Sequence, residues 1–317
     1  MKKILFATTA LIATTGMAAA EVKFGGYGRF GVIYDEGVES FEQETRIEQR
    51  FRFNITATAE TDAGVKLEGR IRLQSDDSAQ GSAGGSGPGA AGFAVSTGGL
   101  RVDVGHISDT LDSGDVVDYY GKGVGLTSFL EYNAAFGGFD ANGFGSDNVA
   151  RQKVKVKYSV GSLTLSASYA GENKDDPGDA DDFVADSYFQ IGAGYSFGDN
   201  SVGIVYGSRD NDADESYIAA SFNGSVGDFS YGVLVGDNSS DVDADDFDVA
   251  YGLYGAYSVS SATDITAVFS GGGADGDDDA YGLGFKHGLG GGVSLRGGVG
   301  QNTSGNTVAD LGVRFDF

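Results

Sequence analysis

The side chains able to do chemistry in this 317-residue chain are few in kind and unevenly placed. There is no Cys, and His106 and His287 are the only imidazoles, so a thiol nucleophile, a Cys-ligated metal and a multi-histidine metal site are excluded. Charge is abundant instead: 46 Asp and Glu stand against 21 Lys and Arg, for a formal net charge of −25. Acidity of that size opposes binding a polyanion, so no nucleic-acid partner is expected. Two acidic runs resemble calcium-binding loops, one with Asp241, Asp243 and Asp245, the other with Asp275, Asp277 and Asp279. Neither has the twelve-residue, helix-flanked pattern ending in Glu, so they imply weak Ca²⁺ or Mg²⁺ binding at most, and solvated loops are the plainer reading. No other cofactor is expected. Gly26-Tyr27-Gly28-Arg29-Phe30-Gly31 has the glycines of a dinucleotide fingerprint, but it sits in an alternating stretch with no helix after it.

The bases are concentrated near the start of the chain. Fourteen of the 19 that follow residue 20 lie between Lys23 and Lys157, whereas residues 171–279 hold 24 acids against Lys174 and Arg209. Arg29, Arg46, Arg50, Arg52, Arg70, Arg72, Arg101 and Arg151 fall on the polar faces of alternating stretches. Crowded like charges are costly in a dry core and tolerable beside water, so these residues predict a basic wall lining an aqueous space. The alternative is ordinary solvated strand faces, paired with Glu48 and Glu68. A long connection, 106–148, has the opposite sign: Asp109, Asp112, Asp115, Asp118, Glu131, Asp140 and Asp147 face one base, Lys122. The first four acids recur every three residues, which on a turn-rich path would give one acidic side. A connection this long implies a function of its own.

The elements that must position these groups are strands. Residues 1–20 read as a cleaved Sec signal peptide, with Lys2 and Lys3, an apolar stretch, and Ala18-Ala19-Ala20 before the cut. Residues 21–317 then form a single domain. Val22, Phe24, Phe30, Val32 and Tyr34 share one face, with Lys23, Tyr27, Arg29 and Gly31 on the other. Ile47, Phe51, Phe53 and Ile55 oppose Arg46, Glu48, Arg50, Arg52 and Asn54 in the same way. A soluble sandwich also alternates. Mid-strand charges and lengths near the ~9–11 residues of a tilted membrane strand point instead to an inside-out barrel. Counting from 22–34 to 307–317 gives sixteen strands. Short turns such as Asp62-Ala63-Gly64 alternate with long loops, and the odd loop there keeps even residues of both flanking strands inward. Sixteen strands leave an aqueous channel. Phe24, Tyr34, Tyr195, Phe197, Phe315 and Phe317 would form the interfacial aromatic girdles.

The mature chain resembles a general diffusion porin of the alphaproteobacterial type. The resemblance rests on Glu21-Val22-Lys23-Phe24, on Tyr281-Gly282-Leu283-Gly284 and Gly290-Gly291-Gly292, and above all on the terminal strand from Val308 to Phe317. It implies a sixteen-stranded antiparallel transmembrane β-barrel, assembled as a homotrimer among outer-membrane lipid and lipopolysaccharide, which passes small hydrophilic solutes and ions. It also implies that 106–148 folds into the lumen opposite the basic wall, and that Phe317 is similar to the family's assembly signal. The enteric Pro-Glu-Phe-Gly-Gly segment is absent, and Ala135-Phe136-Gly137-Gly138-Phe139-Asp140 is its nearest echo. With acids at the mouth and on the loop, a cation preference is expected. An outer-membrane barrel enzyme and a closed structural or adhesive barrel are the alternatives. The first needs a nucleophile beside a His, and the second would not conduct.

Overall fold

The computed structural model describes residues 20–38, 43–77, 87–88, 90–139, 141, 143–144, 151–172, 187–210, 215–240 and 247–317. Most of the expected signal peptide lies outside the described residues, as do Asp140, Asp147, Asp241, Asp243, Asp245 and the side chain of Arg151.

Sixteen long strands follow one another: β1 Glu21–Asp35, β2 Thr45–Glu60, β3 Lys66–Asp77, β4 Gly92–Thr97, β5 Leu100–Gly105, β6 Arg151–Val160, β7 Leu163–Glu172, β8 Ser187–Phe197, β9 Asn200–Asp210, β10 Ser216–Val226, β11 Phe229–Ser239, β12 Ala250–Ser260, β13 Thr263–Gly271, β14 Ala280–Gly290, β15 Val293–Gln301 and β16 Thr307–Asp316. Every expected strand is present, and no end differs by more than three residues. Neighbours pair antiparallel around the ring, and β1 pairs with β16 from Tyr27↔Asp316 to Asp35↔Val308, so the sheet closes. Closure matters because an open edge in lipid would leave amides and carbonyls without partners. The loop from Glu60 to Lys66 is odd, as parity requires, and Gly64 takes φ 77° where it turns.

Alternation sorts the two faces. Tyr169, Ile191 and Leu311 are exposed on the outside, while their neighbours Ser168, Gln190 and Asp310 are buried on the inside. The girdle is seen at the short-turn end, where Tyr195 stacks on Phe197, Phe197 on Phe222, and Phe315 on Phe317. β4 and β5 have only six residues each, whereas β3 and β6 have 12 and 10, so the wall is low there. The chain leaves that low wall at Gly105, whose φ of 96° turns it and whose missing Cβ clears the Ala91 carbonyl.

The seam between β16 and β1 explains the glycine motif. Phe317 and Gly26 exchange backbone hydrogen bonds of 2.9 and 3.1 Å, and the Phe315 ring covers Gly28 where a Cβ would overlap it. Phe317 also stacks on Phe51 and Phe53 of β2. Gly26 and Gly28 of that motif thus receive aromatic rings, and Gly31 receives the Leu311 backbone and the Leu126 side chain. Replacing Phe317 with Ala removes stacks worth about 0.5–1.5 kcal/mol each. The folded barrel is expected to melt at a lower temperature in detergent and to insert in smaller amounts, while single-channel conductance stays the same. Wild-type melting and wild-type membrane levels would contradict this role.

Candidate functional site

The described residues of the segment, 106–139, 141, 143 and 144, run along the inner face of the barrel. Thr110 N donates to Ser168 Oγ (3.0 Å) and Leu111 N to Gln190 Oε1 (3.0 Å), on β7 and β8. Asp118 N reaches Ser221 of β10 (3.2 Å), and Ala135 N reaches Ser270 of β13 (3.0 Å). Leu126 N, Thr127 N and Thr127 Oγ1 all donate to the Asp310 carboxylate of β16 (2.8, 2.7 and 2.8 Å). Arg29 Nη1 of β1 donates to Thr127 O (3.2 Å), and Arg72 Nη1 of β3 to Phe144 O (2.8 Å). One segment that meets the same face of strands all round a closed ring lies inside it.

Two devices hold it there. The first is missing side chains on the wall. A Cβ on Gly203 would overlap the Val116 carbonyl, and one on Gly252 would overlap the Tyr132 carbonyl. Smooth strand faces let the segment's backbone lie against the sheet. The second is an apolar core inside the lumen. Leu111, Val116, Val117, Tyr119, Val124, Leu130, Tyr132 and Phe136 pack on Val205, Tyr217, Ala219, Leu234, Ala250, Val268 and Ala280 of β9 to β14. The interior is not uniform: an apolar core fills part of the lumen against β9–β14, while charged side chains line β1–β3, β5, β6 and β16.

The predicted acidic side does not form. Asp109 is buried, its Oδ1 accepts the Asp112 amide (2.8 Å), and it shares a small cavity with Lys153. Asp115 is clamped by Lys155 (2.7 Å) and Lys157 (2.6 Å) of β6. Asp118 pairs with Lys122 four residues on (3.0 Å). Asp112, half-buried, is the loop acid whose charge acts on both Arg70 and Arg72. A three-residue spacing aligns side chains only on a helix; here the path is a chain of turns, so the four acids diverge.

The predicted basic wall divides. Arg29 is buried and neutralised by Glu48, to which its Nε and Nη2 donate (3.0 and 2.6 Å). Arg46 sits apart at the long-loop end, beside Asp35 (3.7 Å) and the Gln43 carbonyl (3.3 Å). Arg101 bonds Glu68 and Asp103 (2.9 and 2.8 Å). Arg50, Arg52, Arg70 and Arg72 do come together. Arg50 approaches the Tyr27 hydroxyl (3.4 Å), and Arg52 donates to Gln74 (2.6 Å) and lies 5.3 Å from the Tyr27 ring. Arg72 Nε donates to Asn54 (3.2 Å), and Arg70 and Arg72 both stack on Phe144, at 3.9 and 5.0 Å. Arg314 covers the other part of this cluster, 3.9 Å from the Tyr27 ring. Tyr27, Phe144, Asp310, Arg314 and the lysines of β6 were not singled out by sequence. Their only signal was inward parity, which the Gly-rich path of Phe144 does not provide.

Among the other expected residues, Asp275, Asp277 and Asp279 lie in or beside the turn from β13 to β14, and no metal-holding group of three or more acids or histidines occurs among the described residues. His106 is buried at the exit from β5, and His287 Nδ1 meets Thr263 Oγ1 (2.8 Å) between β13 and β14.

A closed sixteen-stranded barrel with an inserted segment and an arginine cluster narrows the comparison. The sequence profile of Gram-negative porins matches residues 7–307. The chain belongs to the Gram-negative porin family. A porin of Fuscovulum blasticum is similar over 313 residues at 32% identity, covering 94% of this chain and all of the relative. Solved mutants of the Rhodopseudomonas blastica porin are similar in fold, with TM-scores of 0.77 and 0.76 at 29% identity, over 94% of this chain and 100% of theirs. The porin is therefore a passive diffusion channel of the Gram-negative outer membrane. No helix among its described residues is long and apolar enough to cross a membrane; it crosses with strands.

The Asp115 clamp has a defined pH window. Burial pushes the Asp115 carboxyl up, but Lys155 and Lys157 outweigh that and hold it below the usual carboxylate range. A depressed carboxylate adds stability above its unfolded pKa and loses it only as pH falls through the lower folded value. The segment is thus expected to stay docked at pH 5 and to loosen only below about pH 4, read as rising current noise in single channels. Asp115→Asn should be noisy already at pH 7, and identical noise profiles would remove the clamp from the account. Independently, Gly203→Val should displace the segment, raising noise and shifting conductance by more than Gly198→Val in an exposed turn.

Proposed function

We propose that solutes pass between the inserted segment and the arginine cluster of β2, β3 and β16, and that this gap sets selectivity. The observation that carries the reading is the division of the lumen: one side is filled by an apolar core, while the other carries Arg50, Arg52, Arg70, Arg72 and Arg314, of which Arg70 and Arg72 feel the charge of Asp112. Arg and Asp across a narrow gap set a transverse field. Polar solutes align in it, and apolar ones must displace ordered water. The acids of the long-loop end, such as Asp275, Asp277, Asp278 and Asp279, raise the local cation concentration within about a Debye length, ~10 Å at 0.1 M salt. The wall arginines oppose this at the narrow point, and the net preference is for cations that fades at high salt.

The porin does this without covalent chemistry. The His287–Thr263 contact lies at the short-turn end on the outward parity, and no third group of a triad is bonded to it among the described residues. Removal of residues 1–20 fits the start of β1 at Glu21. Three copies would meet through outward apolar faces such as Phe93 and Val95 beside the low wall, with lipid and lipopolysaccharide around the remainder.

Asp112→Asn should move the reversal potential in a salt gradient toward anions. Arg70→Gln with Arg72→Gln should move it the other way and admit larger neutral solutes, because Gln is shorter. Opposite shifts are expected; no shift in either variant would place the passage elsewhere.

A further inference from the structure

The arginines of the inner wall differ in how they are held. Arg29, Arg101 and Arg314 each sit in a carboxylate ion pair, with Glu48, with Glu68 and Asp103, and with Asp316. Arg70 and Arg72 are held by neutral groups. The Phe144 ring lies 3.9 Å from Arg70 and 5.0 Å from Arg72, the Phe144 carbonyl accepts Arg72 Nη1 at 2.8 Å, and Asn54 Oδ1 accepts Arg72 Nε at 3.2 Å. Among the described residues neither guanidinium is in an ion pair. The aromatic ring fixes the planes of both groups while adding no negative charge to cancel theirs.

Their spacing is set by the strand. Residues 70 and 72 are successive inward positions of β3, so their backbones are about 6.6 Å apart. Long side chains on such neighbours can converge on one small anion. A tetrahedral dianion brings enough acceptor oxygens and two charges to meet both forks together, whereas chloride offers a single atom and a monocarboxylate a single charge.

We propose that Arg70 and Arg72, braced by Phe144, form a subsite for a dianionic tetrahedral oxyanion, in the first instance a phosphate group, free or carried by a small solute. The proposal rests on the passage running beside this wall. It gives a channel with an overall cation preference one point of specific anion retention. Phosphate would pause there and slow the flow of other ions before moving on, because Arg70 and Arg72 are only partly buried.

The test is single-channel recording in planar bilayers at constant ionic strength, which selects inserted, folded channels. Inorganic phosphate at pH 8 is expected to reduce chloride-carried current at millimolar concentration. At pH 5, where phosphate is a monoanion, the half-blocking concentration should rise severalfold, while sulfate should block at both. Glycerol phosphate distinguishes the sources: block by it as well as by inorganic phosphate assigns the site to phosphorylated solutes, and block by inorganic phosphate alone assigns it to the free ion. Arg70→Gln or Arg72→Gln should raise the half-blocking concentration at least tenfold, Arg72→Lys by less, and Arg209→Gln not at all. Phosphate no more inhibitory than chloride, or a block unchanged in both Gln variants, overturns the subsite. If those variants still shift the chloride reversal potential, the subsite alone has failed. If they do not, the passage beside the wall has failed with it.

Discussion

Backbone amides and carbonyls facing lipid must find partners within the chain, and every other feature of this porin follows from how that demand is met. The ladder closes when Phe317 and Gly26 exchange hydrogen bonds and β16 runs beside β1. With the edges gone, alternation gives each strand one face for lipid and one for the lumen. Sixteen strands make the lumen too wide for side chains alone to fill. A wide hole would pass solutes without discrimination, so something must occupy part of it.

The occupant is chain leaving the low wall at β4–β5, and its presence constrains the composition of strands far away. Gly203 on β9 and Gly252 on β12 lie under its carbonyls, where any Cβ would collide. This accounts for part of a glycine content of 54, which in a strand-rich protein would otherwise weaken the sheet. Packing and polar contacts divide the labour. The apolar core on β9–β14 supplies most of the burial. Asp310, Lys155, Lys157 and Ser221 fix position, because a carboxylate accepting three donors permits little sliding. Tyr119 and Tyr132 sit in this packed region, where burial raises both phenols and keeps them neutral.

The strands were legible because a two-residue period is written in side-chain polarity, and Ile47 to Ile55 opposite Arg46 to Asn54 admits one reading. The site was legible by parity alone. Arg50, Arg52, Arg70 and Arg72 were found because their strands are regular. Arg46 shares their parity but not their position, because parity says which face a residue takes and not its height, and its partner Asp35 belongs to the long-loop end. The acids from Asp109 to Asp118 were misjudged for a related reason. An irregular segment has no period, so spacing does not predict direction. Phe144 is the clearest case: its sequence neighbourhood of Asn and Gly gives no sign that it braces two arginines on another strand.

Far charge and near charge act on different scales in this molecule. The net charge of −25 governs what collects at the mouth, and salt screens it over about a Debye length. A guanidinium of the arginine cluster acts over a few ångströms, and where it is partly buried screening is weak and geometry dominates. A carboxylate partner would hold a guanidinium equally well, as Glu48 does for Arg29, but it would also cancel the charge seen by a passing ion. An aromatic ring or an amide oxygen fixes the group and leaves the charge in place. On the proposed passage, the choice between these two kinds of partner would separate arginines that build the wall from arginines that act on solutes, and along β3 both Arg70 and Arg72 have the second kind.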